Sequence, residues 1–317
     1  MNLQDGISNC LNGLVSEQDE AAIAWLLSSD EPAIRALARR ELLNEEVAPV
    51  AGGPRVDILL HHKTVGHPYR KWTGVHWRLI ALAELGVDPA VERVRELTDL
   101  VLTWLSGVTY PENEELPRRH ASIQGNALAA CCRLGRRDDP RVAQLAGLLE
   151  EWQWPDGGWN CDQRASGRRS SFHETLGPMW ALHEFGRIEA AERAAELLLE
   201  HRLFKSGDRV IKKQFTDLRY PPYWHYDILQ ALLILSRMGL AADERAADAL
   251  DLIERKRRPD GRWGSERLLV AEHRRRVDRT GRLVARRTQR NDHPERAQSP
   301  EGERSARLLI AGGNWGQ

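Results

Sequence analysis

QWPDGGWN (Gln153–Asn160) returns further along the chain as RRPDGRWGSE (Arg257–Glu266), and this recurrence decides the fold. Pro-Asp-Gly is turn chemistry: proline presets φ, aspartate bonds to the backbone ahead of it, and glycine accepts a left-handed conformation. The tryptophan that follows is large enough to pack back on its own unit. Four further segments end in an apolar residue and glycine: KWTGVHWRLIALAELG (to Gly86), RHASIQGNALAACCRLG (to Gly135), SSFHETLGPMWALHEFG (to Gly186) and PYWHYDILQALLILSRMG (to Gly239), at spacings of 49, 51 and 53 residues. Each is apolar around most of its circumference, the pattern of a helix buried on all sides, and each glycine suits a left-handed C-terminal cap.

Between these segments lie PAVERVRELTDLVLTWLSG, PRVAQLAGLLEEWQW, IEAAERAAELLLEHRLF and ADERAADALDLIERKRR, which carry a cleaner polar face. The repeating unit is an outer amphipathic helix, a turn and an inner apolar helix. An earlier unit is expected in AAIAWLLSSDEPAIRALARRELL, with Ser29 or Asp30 capping a helix that begins near Pro32. A hairpin whose inner helix is apolar all round cannot bury that helix alone, so the units stack, in an open solenoid or a closed ring.

The 317 residues are 41% hydrophobic and hold no apolar run of membrane-spanning length, and MNLQDGISNC has neither a basic nor an apolar leader region. A soluble, cytoplasmic protein is expected. Cys10, Cys131, Cys132 and Cys161 are too few for a disulfide framework, and only Cys161 lies in a polar loop. The formal charge is zero but unevenly spread: residues 267–317 hold 12 Arg, no Lys and 6 acidic residues, a net of +6, leaving 34 basic and 40 acidic groups on residues 1–266. The domain reading is therefore a helical-repeat body over 1–266 and an Arg-rich, poorly ordered tail over 267–317. Such tails are more often solvated than bound to nucleic acid, so nucleic acid is not expected as a partner.

The QxPDGxW phrase after an outer helix, with a period near fifty, resembles the repeat of the squalene cyclase and protein prenyltransferase superfamily. KWTGVHW, GGWNCD, SSFHETL and WHYDIL are similar to phrases of a bacterial squalene-cyclase-like group. The resemblance implies an all-α fold, an α/α toroid of concentric inner and outer helices around a central cavity, and an enzyme acting there on an apolar or isoprenoid-like small molecule. With no recognisable inner helix after Arg257–Glu266, the ring is expected to be incompletely closed at its C-terminal end. No DxDD acid is present, so triterpene cyclisation of the usual kind is not expected.

Counting back from the repeat glycines, His120, His173 and His225 stand at −15, −13 and −14, at three inner-helix starts, and Glu174 and Asp227 both stand at −12. Imidazoles and carboxylates there, with the thiol of Cys161 in an adjacent loop, are the components of a zinc site. The expected ligands of Zn²⁺ are Cys161, Asp162, His173 and His225, with His120 as another group for the fourth place. Glu174, Asp227 and His120 are the expected proton-handling residues. His76, Trp72, Gln124, Trp180 and Trp224 are expected to line the substrate cavity. Prenyltransferase β subunits hold zinc through Asp, Cys and His, and only His173 falls on a matching position. The alternatives are a metal-free polar pocket, histidines serving as helix caps in a non-catalytic module for a hydrophobic ligand, and a repeat scaffold that binds protein.

Overall fold

The computed structural model describes residues 16–111, 114–220 and 222–266. Among them are eleven α-helices: α1 (Glu17–Leu27), α2 (Pro32–Leu37, continued by a π turn Ala38–Leu42), α3 (Pro54–His61), α4 (Val75–Glu84), α5 (Glu92–Ser106), α6 (Ala121–Cys131), α7 (Pro140–Glu151), α8 (Phe172–Phe185), α9 (Ile188–Glu200), α10 (Ile228–Arg237) and α11 (Ala247–Arg255). A two-residue hairpin, Lys205–Ser206 with Arg209–Val210, is the only paired strand element among the described residues. The protein is all-α, and no helix among the described residues is long and apolar enough to cross a membrane. Residues 267–317, to which the poorly ordered tail was assigned, lie outside the described residues.

The expected inner helices are α4, α6, α8 and α10, and their terminal glycines Gly86, Gly135, Gly186 and Gly239 all take positive φ, from 64° to 96°. Between them, α5, α7, α9 and α11 are the expected polar-faced helices. The two tryptophan turns share one geometry. Trp159 Nε1 donates to Leu149 O at 2.9 Å and Trp263 Nε1 to Ile253 O at 2.8 Å, each ten residues back. One expectation is corrected at the first unit: the N-cap of α2 is Glu31, not Ser29 or Asp30. Glu31 is fully buried and its carboxylate also accepts from Arg55 N at 2.6 Å, so one side chain serves the free amides of both α2 and α3.

Helices α6 and α8 form the most extensive interface. They touch backbone to backbone at Gly125, where a Cβ would run into the main chain of Gly177 and Pro178. This contact fixes the N-terminal ends of α6 and α8 close together. At the opposite ends, Glu84, Arg133, Glu184 and Arg237 each stand two residues before a repeat glycine. Arg237 donates to both oxygens of Glu84 at 2.9 Å, Arg133 donates to Glu184 Oε1 at 3.1 Å, and the Arg237 guanidinium lies 5.7 Å from the Trp180 ring centre.

Candidate metal and thiol centre

The loop after the first tryptophan turn is held to the strand-like segment before α6. Arg118 and Asn160 form a parallel bridge, Arg119 N donates to Asn160 O at 3.0 Å, and the Arg118 guanidinium reaches Asp162 O at 2.5 Å and Gly167 O at 2.8 Å. The turn also fixes the start of α8: Asp156 accepts from Ser170 N at 2.9 Å, and Ser171 N donates to Trp159 O at 2.7 Å. Three segments therefore converge, bringing His120 (N-cap of α6), Cys161 (the loop) and Glu174 (first turn of α8) into one cluster whose ligand atoms all lie within 4.8 Å of one another.

Within the cluster, His120 Nδ1 lies 3.2 Å from Glu174 Oε1, and Ser122 N donates to Glu174 Oε2 at 3.0 Å. The Glu174 side chain is buried and the His120 ring is half-exposed. The Cys161 and Glu174 side chains, in that order, outweigh burial and push His120 up to about 10. Burial pushes Glu174 upward, but hydrogen bonds from His120 and the Ser122 amide outweigh it and hold the carboxyl below its ordinary range. The pair is thus an imidazolium against a carboxylate, with the thiol of Cys161 on the imidazole.

Of the four expected zinc ligands, the cluster contains only Cys161. Asp162 gives its carboxylate to Arg164, at 2.9 Å from Nε and 2.7 Å from Nη2, and that partner holds it at about 2. His173 Nδ1 accepts from Tyr226 N at 2.8 Å, which places its proton on Nε2, and burial pushes it down to about 4. Its ring centre is 6.1 Å from that of His225, which stacks on Trp224 at 3.8 Å. These two histidines belong to an aromatic cluster with Phe215, not to the cluster at Cys161. Glu174, read in the sequence as a proton carrier, and His120, read as a proton carrier and as an alternative fourth ligand, are the residues that join Cys161. The signal that could have selected them is the tie between Arg118 and Asn160, which no motif announces.

Asp227 is fully buried and caps α10, accepting from Gln230 N at 3.0 Å and Gln230 Nε2 at 2.7 Å; burial pushes it up to about 6. Its contacts are those of a helix cap. Between α4, α6, α8 and α10 lies a cavity of about 50 Å³ walled by Trp77, Ile80, Leu176, Trp180, Tyr223 and Ile234, with Glu84 and Arg237 also on its surface. Of the five residues expected to line it, Trp180 does. Trp72 packs on Tyr223 with ring centres 4.9 Å apart, and Trp224 is 38% exposed beside His225. Gln124 donates to Tyr110 Oη at 2.5 Å. His76 is buried against Tyr69, Trp77 and Trp104, with neither ring nitrogen bonded among the described residues, and burial pushes it down to about 3. The chain matches no protein family, no curated protein and no solved structure.

Proposed function

We propose that the chain is an α/α toroid of the squalene cyclase and prenyltransferase type that works as a small-molecule enzyme, with His120, Cys161 and Glu174 as a Zn²⁺ centre. One observation carries the reading: an imidazole, a thiol and a buried carboxylate from three separate segments meet within 4.8 Å. The donor set fits the metal, since nitrogen, sulfur and carboxylate oxygen are the ligand types zinc takes, and three protein ligands leave a fourth place for water or substrate. The partners that hold a proton on His120 are those a divalent cation needs, so uptake of metal releases that proton. Ser122 N–H keeps one Glu174 oxygen oriented, and the half-exposed ring of His120 is the side from which a substrate arrives.

When bound, zinc would polarise a substrate oxygen or a water. The chain's own residues hold and orient: the Ser122 amide fixes the Glu174 carboxylate, and the aromatic wall of the cavity, which His120, Cys161 and Glu174 do not line, favours an apolar or isoprenoid-like substrate. At about 50 Å³ the cavity is smaller than the roughly 300–1,000 Å³ of ordinary ligand sites, so binding such a substrate requires Trp77, Trp180 or Leu233 to move. A cytoplasmic setting would keep Cys161 reduced.

Elemental analysis of the purified protein tests this. The expected result is about one zinc per chain, lost in Cys161→Ala, His120→Ala and Glu174→Gln and kept in His173→Ala and Asp162→Asn; absence of bound zinc after reconstitution overturns it. A second reading has one observation in its favour: thiol, imidazole and carboxylate are ordered as nucleophile, base and orienting acid. Zinc-free protein in which Cys161 alone is alkylated rapidly by iodoacetamide would establish that reading instead.

A further inference from the structure

The last turn of the described chain packs on its first helix. In RRPDGRW, Arg257, Gly261 and Trp263 stand where Gln153, Gly157 and Trp159 stand in QWPDGGW. In the earlier turn, Gln153 reaches the following outer helix: its Nε2 donates to Ala190 O of α9 at 2.8 Å and its Oε1 accepts from Arg193. Gly157 faces the Arg193 carbonyl where a Cβ would be. In the last turn Arg257 donates to Asp19 of α1, and Gly261 faces the Gln18 carbonyl of α1 where a Cβ would be. The Arg262 guanidinium also lies 4.9 Å from the ring centre of Trp25. Helix α1 occupies the berth behind the last turn that α9 occupies behind the earlier one.

We infer that α1 serves as the outer helix behind the last tryptophan turn, so that the first described helix and the last described turn meet at one seam of the ring. This rests on the ring arrangement proposed above and is independent of the metal reading. A ring closed without a covalent link has a seam. Because α1 meets the last turn and not only its own neighbours in sequence, α1 and the segment from α11 through Trp263 open together.

Two matched substitutions test the seam by hydrogen exchange on the full chain. Gly157 and Gly261 both have positive φ, 91° and 76°, and both face a helix carbonyl, so Gly157→Val and Gly261→Val impose the same kind of strain at two turns. Gly261→Val is expected to raise exchange at least roughly tenfold in both α1 and α11 while leaving α9 protected; Gly157→Val is expected to do so in α9 and leave α1 protected. Unchanged protection of α1 in Gly261→Val overturns the inference, as does loss of α1 protection to the same degree in both variants. Should Gly261→Val not fold, a charge exchange serves: Asp19→Arg and Arg257→Asp each loosen α1, and the double variant restores it. A double variant as loose as the singles overturns the inference. Zinc content of the same preparations reports separately on the functional reading.

Discussion

Arg237 and Glu84 lie 153 residues apart in sequence and face each other through two parallel hydrogen bonds of 2.9 Å. Both side chains are less than one-fifth exposed, so removing one leaves a poorly solvated charge. Arg237→Met is expected to cost about 2–3 kcal/mol in urea unfolding. The double variant Arg237→Met, Glu84→Leu is expected to recover most of that loss, and failure to recover would show that Arg237 acts through Trp180.

The His120–Glu174 pair sets a pH window. Glu174 is held below its ordinary value, so its contribution is present above the unfolded carboxyl range and is lost as pH falls through the folded value. His120 is raised to about 10, so its contribution is full below about 6.5 and is lost as pH rises towards 10. Metal-free protein is therefore expected to be most stable between roughly pH 5 and 6.5 as far as this pair is concerned. His120→Gln should flatten the alkaline limb of a melting-temperature profile and leave the acid limb of the other carboxylates in place.

Asp227 is raised to about 6 by burial, so as pH rises from about 4 through 6 its ionisation works against folding. Asparagine caps a helix as well as aspartate does without the charge. Asp227→Asn is expected to be neutral or stabilising at pH 7, whereas Asp227→Ala should cost about 1 kcal/mol through loss of the cap. Thermal melts at pH 4 and 7 would separate the two, and a large loss of stability in Asp227→Asn at pH 7 would count against the cap assignment.

Two helical glycines should respond in opposite ways to alanine. Gly125→Ala forces α6 off the backbone of α8 and is expected to cost about 1–3 kcal/mol, with weaker zinc uptake because His120 and Glu174 ride on those helices. Gly147 in α7 has open space around its Cα, so Gly147→Ala is expected to gain about 0.5–1 kcal/mol. Equal responses at the two positions would contradict the close α6–α8 contact.

The helices were legible because burial on all sides leaves an all-apolar pattern and because a left-handed cap needs glycine, as at Gly86 and Gly186. The candidate cluster was legible in its members but not in its pairing. Positions −15, −13 and −14 look equivalent in the sequence, yet His173 accepts from Tyr226 N, whereas His120 meets Glu174 and Cys161 next to the place where Arg118 pairs with Asn160. That pairing depends on loop paths between helices, which carry no periodic signal. Asp162 was lost to Arg164 in the same way, by a contact two residues away that competes with any distant one.

The signs of Glu84, Arg133, Glu184 and Arg237 alternate along the repeats, and the last meets the first. In the ring proposed above, such an alternation has parity. Loss or duplication of a single hairpin would bring two like charges together at the join, whereas a change of two hairpins would not. Variants of this chain that differ by one repeat should therefore need a compensating charge reversal, and those that differ by two should not.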